Sequence, residues 1–213
     1  MPETEFHDDY QFLERSQRLT HEEILKVARV ATGLGVSKLR LTGGEPLLDK
    51  KLPALVEGLA ALPGVDDLAL TTNAMLLAPV AADLANAGLQ RVTISLDSLD
   101  EEVFRKMSGG RGDLGQVMQG LEAAAEAGLA PIKINVVVER GVNDHTILDL
   151  LEHFRGSGHV VRLIEYMDVG NRNGWRMNQV VPSRELLAIV DERWPLQPMD
   201  RNYPGEVARR YQY

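Results

Sequence analysis

Polar residues and glycines that suit ligand binding recur where predicted strands end. They occur in Thr42-Gly43-Gly44-Glu45-Pro46, Thr71-Thr72-Asn73, Ser95-Leu96-Asp97-Ser98, Asn135 and Glu165-Tyr166-Met167. Gly43 and Gly44 have no Cβ, so a ligand can approach the backbone closely there. In α/β proteins, ligands bind at the edge formed by the carboxyl ends of parallel strands. Each segment alone is compatible with an ordinary turn or a helix cap, but five of them at one edge predict a binding site.

Basic residues inside the predicted strands point to an anionic ligand. Arg40 and Lys133, and with less support Arg162, alternate with apolar neighbours and therefore share the polar face of their strands. Guanidinium and ammonium groups gathered on one face suit a polyanion. Lys133 also has a second interpretation, as the Schiff-base lysine of an ordinary (β/α)-barrel lyase or aldolase.

The elements that position these residues alternate regularly along the chain. The predicted strands are 37–42, 67–72, 91–97, 132–138 and 160–166, and the helices between them are 51–62, 77–87, 115–127 and 144–155. An earlier helix begins at the capping box formed by Thr20 and Glu23, and ends at Gly33 or Gly35. Alternating strands and helices predict a parallel sheet, in either a doubly wound fold or a barrel.

The side chains of the strands favour the barrel. Parallel strands that are covered by helices on both faces are apolar throughout. Here Leu39 and Leu41 alternate with basic and hydroxyl residues, and Ile132 and Ile134 alternate with Lys133 and Asn135. One polar face on strand after strand indicates a lumen that binds a ligand, so we expect one (β/α)-barrel domain or part of one.

Composition excludes several classes of protein. The 213 residues carry a net charge of −8 without a basic cluster, which argues against binding to nucleic acid or to a membrane surface. No apolar run approaches the roughly 18 residues of a membrane-spanning helix. The acidic start does not resemble a signal peptide, so we expect a cytoplasmic protein. The sequence contains no cysteine and therefore offers no thiolate for a metal cluster.

Together the strand-end segments resemble one enzyme family. Arg40-Leu41-Thr42-Gly43-Gly44-Glu45-Pro46-Leu47, Leu70-Thr71-Thr72-Asn73, Ser95-Leu96-Asp97-Ser98-Leu99, Lys133-Ile134-Asn135 and Ile164-Glu165-Tyr166-Met167 resemble the GTP 3′,8-cyclase family (molybdenum cofactor biosynthesis protein A) of the radical SAM superfamily. The resemblance extends over essentially the whole chain. The Gly-Gly-Glu-Pro element indicates only the superfamily, whereas the combination of segments indicates this member.

The resemblance implies a fold, cofactors and site residues. It implies a partial, TIM-like radical SAM barrel and two 4Fe–4S clusters. In the family, a radical generated from S-adenosylmethionine initiates cyclisation of GTP to (8S)-3′,8-cyclo-7,8-dihydroguanosine 5′-triphosphate for molybdopterin synthesis. The positions matched to S-adenosylmethionine are Gly44, Ser95 and Met167, and those matched to GTP are Arg40, Thr71 and Lys133. A homodimer is left open.

Two departures from the family pattern modify these expectations. Ala74 stands where the family usually has glycine, and a small local adjustment is expected there. The C-x3-C-x2-C cluster motif and three C-terminal cysteines of the family have no counterpart. We therefore expect a central fragment without the first strand and the C-terminal extension. Residues 1–19 would form an irregular start, and 168–213 a loop and the beginning of the C-terminal region.

The expected consequence is that this chain alone is inactive in the radical reaction. Three alternatives to the cyclase assignment remain. They are the aldolase described above, a peptide-modifying radical SAM enzyme, and a non-catalytic remnant that binds a nucleotide or a partner.

Overall fold

The fold is known from a computed structural model that describes residues 17–110, 112–129, 131–168, 174–202 and 206–213. Most of the expected irregular start, residues 1–19, lies outside these ranges, as do residues 169–173 of the segment after the last predicted strand.

Five parallel strands form the main sheet, and their order in the sheet is their order in the chain. They are β1 (Lys38–Leu41), β2 (Asp67–Thr72), β3 (Arg91–Ser95), β4 (Lys133–Val138) and β5 (Val160–Glu165). A doubly wound sheet would reverse its strand order at a switch point, and this sheet does not. The partial (β/α) barrel expected from the sequence is therefore confirmed.

Helices follow the strands, together with short 3₁₀ turns. The described helices are α1 (His21–Gly33), α2 (Leu52–Ala60), α3 (Ala81–Asn86), α4 (Glu101–Met107), α5 (Leu114–Glu126), α6 (Ile147–Phe154) and α7 (Ser183–Arg193). Helices α4 and α7 were not predicted from the sequence, nor was the C-terminal hairpin of β6 (Gln197–Met199) and β7 (Arg210–Gln212). In the described ranges, no helix has the length and apolar character needed to cross a bilayer.

The helix ends show why the predicted boundaries hold. The hydroxyl of Thr20 accepts from the Glu23 backbone N–H, and the Glu23 carboxylate accepts from the Thr20 N–H, which completes the capping box. Gly88 follows α3 with a φ of 99°, in the left-handed region that favours glycine. This turn lets the Leu89 N–H donate to the Leu84 carbonyl at 3.0 Å and directs the chain into β3.

The two faces of the main sheet differ sharply. Leu68, Leu70, Val92 and Ile94 point to the helices and are at most 1% exposed, so the hydrophobic core lies between sheet and helices. We call the opposite side the inner face. It carries Lys38, Arg40, Asp67, Thr71, Arg91, Thr93, Ser95, Lys133, Asn135 and Arg162, which the strand register aligns on one side.

The C-terminal residues pack against α6. The Tyr213 hydroxyl donates to the Leu151 carbonyl at 2.8 Å, and its ring lies 5.2 Å from that of Trp194. The Arg155 guanidinium lies over both rings, 5.5 Å and 5.8 Å from their centroids. These contacts connect the C-terminal hairpin to the helical layer through an aromatic pair and a cation.

Candidate functional site

Glu45 fixes the loop that follows β1. Its Oε1 accepts from the Leu47 N–H at 3.0 Å and from the Thr72 hydroxyl at 2.7 Å, while Oε2 accepts from the Asn73 N–H at 2.9 Å. The carboxylate thus has three donors from the protein, and it anchors the Gly43-Gly44 turn to the end of β2.

The three positions matched to S-adenosylmethionine lie at the carboxyl edge of the main sheet. Gly44 is in the loop after β1, Ser95 ends β3, and Met167 follows β5 by two residues. Gly44 and Ser95 are exposed, and Met167 is 54% exposed. A Cβ added at Gly44 would meet no heavy atom of the described residues within 4 Å, so its backbone is open to a ligand.

Asp97 and Asn143 hold the ends of β3 and β4 together. The Asp97 carboxylate accepts from the Val137 N–H at 2.8 Å, and the Asn143 amide donates to the carbonyls of Asp97 and Val137, each at 2.8 Å. Burial raises the pKa of Asp97 to about 6, against the lowering effect of the Val137 N–H. This network positions the backbone next to Ser95.

Asn135 presents a polar atom that the protein leaves unpaired. Among the described residues its Oδ1 is buried and has no hydrogen-bond partner. Asn135 lies opposite Ser95 in the register of β3 and β4, and opposite Arg162 in that of β4 and β5. A buried acceptor without a donor costs free energy, about 1–3 kcal/mol, which a ligand donor would recover. Together with the open backbone of Gly44, this acceptor suits a polar ligand.

The three positions matched to GTP lie on the inner face, farther from the carboxyl edge of the sheet. Arg40 Nη1 is 3.4 Å from the Thr71 hydroxyl, and Thr71 is in register with Thr93, which is in register with Lys133. The pKa of Lys133 is lowered, first by burial and then by repulsion from Arg91, Arg162 and Arg40, with Asp67 acting in the opposite direction. The positive charges are therefore close enough to repel one another, and a bound anion would reduce this repulsion.

Arg91 is a cation of the inner face that the sequence analysis missed. Arg91, Thr93 and Ser95 occupy alternate positions of β3, so their side chains point to the same face of the sheet. This alternation was the signal that could have revealed Arg91. Its guanidinium pairs with the Asp67 carboxylate through both oxygens: Nε to Oδ1 at 2.9 Å, and Nη2 to Oδ2. Both residues begin their strands, β3 and β2.

Two further residues from the predicted strand ends have structural partners. The Glu165 carboxylate accepts from the backbone N–H and the hydroxyl of Ser183, at 2.5 Å and 2.6 Å, and so holds the start of α7. These bonds lower the pKa of Glu165. The Tyr166 carbonyl accepts from the Trp175 indole N–H at 3.1 Å. Both contacts position the backbone on either side of Met167.

Ala74 keeps the backbone conformation of a glycine. Its φ is 63°, and in the described part of the chain no other residue except glycine has a positive φ. Ala74 is fully buried, and its carbonyl accepts from the Leu77 N–H at 3.0 Å. The substitution thus leaves an alanine in the left-handed region, where a Cβ costs about 1–2 kcal/mol.

Comparison with known proteins defines the family. Residues 4–154 match the Radical SAM superfamily. The chain belongs to the radical SAM superfamily. This radical SAM chain is 53% identical over all 213 residues to GTP 3′,8-cyclase of Xanthomonas campestris pv. campestris strain 8004. It is 50% identical to that of Acidothermus cellulolyticus and 38% identical to that of Staphylococcus epidermidis strain ATCC 35984, again over its full length. The chain spans 62%, 59% and 62% of these relatives.

Solved structures of other proteins share the fold. Methylornithine synthase superposes with a TM-score of 0.65 at 17% identity, covering 84% of this chain and 54% of that one. The protein anSMEcpe with bound AdoMet gives 0.64 at 15% identity, covering 89% of this chain and 53% of the other. The fold shared with these structures therefore extends through most of the chain.

The inner face fits one of the groups that the family implies and not the other. Gly44 and the unpaired Asn135 oxygen suit S-adenosylmethionine, which carries hydroxyl, amine and carboxylate groups. An iron–sulfur cluster takes thiolate ligands, and these 213 residues contain no cysteine. The residues present therefore do not fit a 4Fe–4S cluster, whose thiolates would come from outside this sequence.

Proposed function

We propose that the chain is the substrate-binding barrel of a GTP 3′,8-cyclase. The observation that carries this proposal is identity of 38–53% to proteins of that name along the entire chain. The reaction proposed for the complete enzyme is the S-adenosylmethionine-dependent cyclisation of GTP to (8S)-3′,8-cyclo-7,8-dihydroguanosine 5′-triphosphate. The role proposed for this chain in that reaction is to bind and orient the two substrates on the inner face.

S-adenosylmethionine is assigned to the carboxyl edge of the main sheet. The proposed contacts are Gly44, through its open backbone, together with Ser95 and Met167. Glu45 contributes indirectly to this site, because its hydrogen bonds with Thr72 and Asn73 fix the loop that contains Gly44. The ligand's polar groups would meet exposed strand ends here, and no charged group of the site has to be buried to admit it.

GTP is assigned to the cationic part of the inner face. Arg40, Thr71 and Lys133 are its proposed contacts, and Arg162 adds a further positive charge. A triphosphate carries several negative charges, so it complements the mutually repelling cations around Lys133. Charge complementarity also explains how a chain with a net charge of −8 binds an anion: the positive groups are local to one face.

GTP binding by the purified 213-residue chain tests the substrate assignment. Isothermal titration should show binding that weakens at high salt, because charged contacts are screened. Arg40→Gln and Lys133→Gln should each weaken binding roughly 10-fold or more, the equivalent of about 1.5–3 kcal/mol for a charge-assisted hydrogen bond. Arg105→Gln, on the exposed side of α4, is the control and should bind as the unchanged chain does.

The outcomes separate the candidate functions. Equal binding of GTP and ATP would indicate a general nucleotide site rather than a cyclase. Binding of S-adenosylmethionine without GTP would favour the peptide-modifying relatives. A Schiff base trapped on Lys133 by borohydride and a carbonyl substrate would favour the aldolase.

The catalytic part of the proposal concerns the complete enzyme. Without thiolates of its own, this chain is expected not to cleave S-adenosylmethionine even under strong reduction. The DNA on both sides of the reading frame tests the assignment. In-frame cysteine codons spaced C-x3-C-x2-C upstream, with three more downstream, would supply both clusters. Stop codons or unrelated sequence there would limit the protein to binding.

A further inference from the structure

The ion pair between Asp67 and Arg91 occupies the inner face beside the proposed GTP contacts. Its side chains are only 19% and 25% exposed, and the carboxylate engages the Nε and Nη2 side of the guanidinium. Such a two-point contact fixes the plane of the guanidinium as well as its position. Arg91 is therefore held in one orientation before any ligand arrives.

The ion pair uses only some of the N–H groups of the Arg91 guanidinium. A guanidinium has five N–H groups, and Asp67 takes two of them. Within the described residues, the structure shows no other partner for the Arg91 side chain. The strand register places Ala69 between Arg40 and Arg91, so a single methyl group separates the two basic side chains at this level of the sheet.

The surroundings of Arg91 carry more positive than negative charge. Among the charges that act on Lys133, Arg91 is the strongest of three cations, ahead of Arg162 and Arg40, and the Asp67 carboxylate acts in the opposite direction. Glu206, from the segment before β7, faces the same region, since Lys133 contributes to lowering the pKa of Glu206. Asp67 thus orients Arg91 without neutralising the cluster, and an anion is the missing complement.

We propose that Arg91 binds the phosphate chain of the nucleotide on the inner face and that Asp67 is the positioning residue that aims it. The inference rests on the proposed function, and it adds a residue pair to the three matched GTP contacts. Arg91 meets the phosphates directly through its unused N–H groups. Asp67 acts through Arg91, since its oxygens are taken up by the guanidinium.

Binding measurements on the full 213-residue chain test the pair. The ligands are GTP, guanosine and inorganic tripolyphosphate, and the variants are Arg91→Gln, Arg91→Lys and Asp67→Asn. Arg105→Gln again serves as the matched control. Circular dichroism verifies that each variant is folded.

Three results are expected if Arg91 contacts phosphate. Arg91→Gln should weaken GTP and tripolyphosphate roughly 10-fold or more, the loss of a charge-assisted contact, and should leave guanosine unchanged. The salt dependence of its GTP binding should also become shallower, because one cation is gone. Arg91→Lys and Asp67→Asn should keep the salt dependence and lose part of the affinity, because the charge remains while the two-point geometry is lost.

The salt dependence distinguishes this role from a structural ion pair. A pair that only stabilises the sheet would change the unfolding midpoint and leave GTP affinity and its salt dependence as they are. That result for a folded Arg91→Gln variant, alongside normal GTP binding by the unchanged chain, would overturn the inference and leave the proposed function intact. If Arg91→Gln does not fold, unaltered GTP affinity in both Arg91→Lys and Asp67→Asn would overturn it equally.

Tripolyphosphate separates failure of the inference from failure of the proposed function. Absence of GTP binding by the unchanged chain would refute the proposed substrate. Tripolyphosphate binding that still depends on Arg91 would then support the phosphate site on its own. Absence of tripolyphosphate binding as well would overturn the inference.

Discussion

Replacing Glu45 by glutamine should loosen the loop that presents Gly44. The carboxylate accepts hydrogen bonds from the Leu47 N–H, the Thr72 hydroxyl and the Asn73 N–H. A glutamine amide has one oxygen to accept with, and its NH₂ group would face one of the three donors. The variant therefore loses a charge-assisted bond outright, and those it keeps become neutral.

The expected loss follows from these three contacts. A hydrogen bond to a charged group contributes about 1.5–3 kcal/mol, so losing one and weakening two should lower the free energy of unfolding by about 2–3 kcal/mol. In a domain of this size, 1 kcal/mol corresponds to a change in Tm of about 2–4 °C, so Tm should fall by about 4–12 °C. The Asn73 and Leu47 amide protons should also exchange faster with solvent, since their acceptor is compromised.

Urea unfolding and hydrogen exchange measure the effect. Glu57→Gln, the same chemical change at an exposed position of α2, is the control and should change stability by no more than about 0.5 kcal/mol. A Glu45→Gln variant as stable as this control, with unchanged protection at Asn73, would refute the role assigned to the carboxylate.

Three further changes test other parts of the structure. Because burial raises the pKa of Asp97 to about 6, its proton stays bound in the folded state while the unfolded chain loses it near pH 4, so stability should be lost as pH rises through this window. In urea unfolding, the free energy of unfolding of Asp97→Asn, relative to that of the unchanged chain, should increase by about 2–3 kcal/mol between pH 4 and pH 7. A difference between the two proteins that does not change with pH would contradict the burial argument. A Cβ at Gly120 would clash with the Ala74 carbonyl oxygen, so Gly120→Ala should lower the free energy of unfolding by about 1–3 kcal/mol, measured by thermal unfolding. Gly33→Ala, where a Cβ would meet open space, should not destabilise the protein. Tyr213→Phe should cost about 1 kcal/mol by removing the hydrogen bond to Leu151, and an unchanged midpoint would show that this bond does not hold the C-terminal hairpin.

Local signals in the sequence were sufficient to predict most of the fold. The capping box at Thr20 and the turn at Gly88 each act within a few residues, so the sequence alone reveals them. The alternation of Leu39 and Leu41 with basic residues identified the face that meets the helices, because strand side chains alternate with a period of two. Helix α7 was missed because it buries only Leu186 and Val190, which leaves little apolar periodicity to detect.

The sequence showed which strand ends carry polar residues, but it did not predict the hydrogen-bond partners of the carboxylates among them. Glu45, Asp97 and Glu165 all lie at strand ends, as ligand-binding acids would. Each instead accepts hydrogen bonds from a backbone N–H, and in every case a donor belongs to another part of the chain, such as Val137 for Asp97 and Ser183 for Glu165. Such partners are brought together by tertiary packing, and spacing along one strand does not encode them.

The most direct test of the central claim is an NMR titration of the isotope-labelled chain with each substrate in turn. S-adenosylmethionine should shift signals at the carboxyl edge, and GTP should shift a second set deeper on the inner face. The two sets are Gly44, Ser95 and Met167 for S-adenosylmethionine, and Arg40, Thr71 and Lys133 for GTP. Separate shifts at these two sets would support two adjoining sites on one face. Shifts confined to the outer helices, or no shift at saturating ligand, would contradict the assignment of this face as the substrate site.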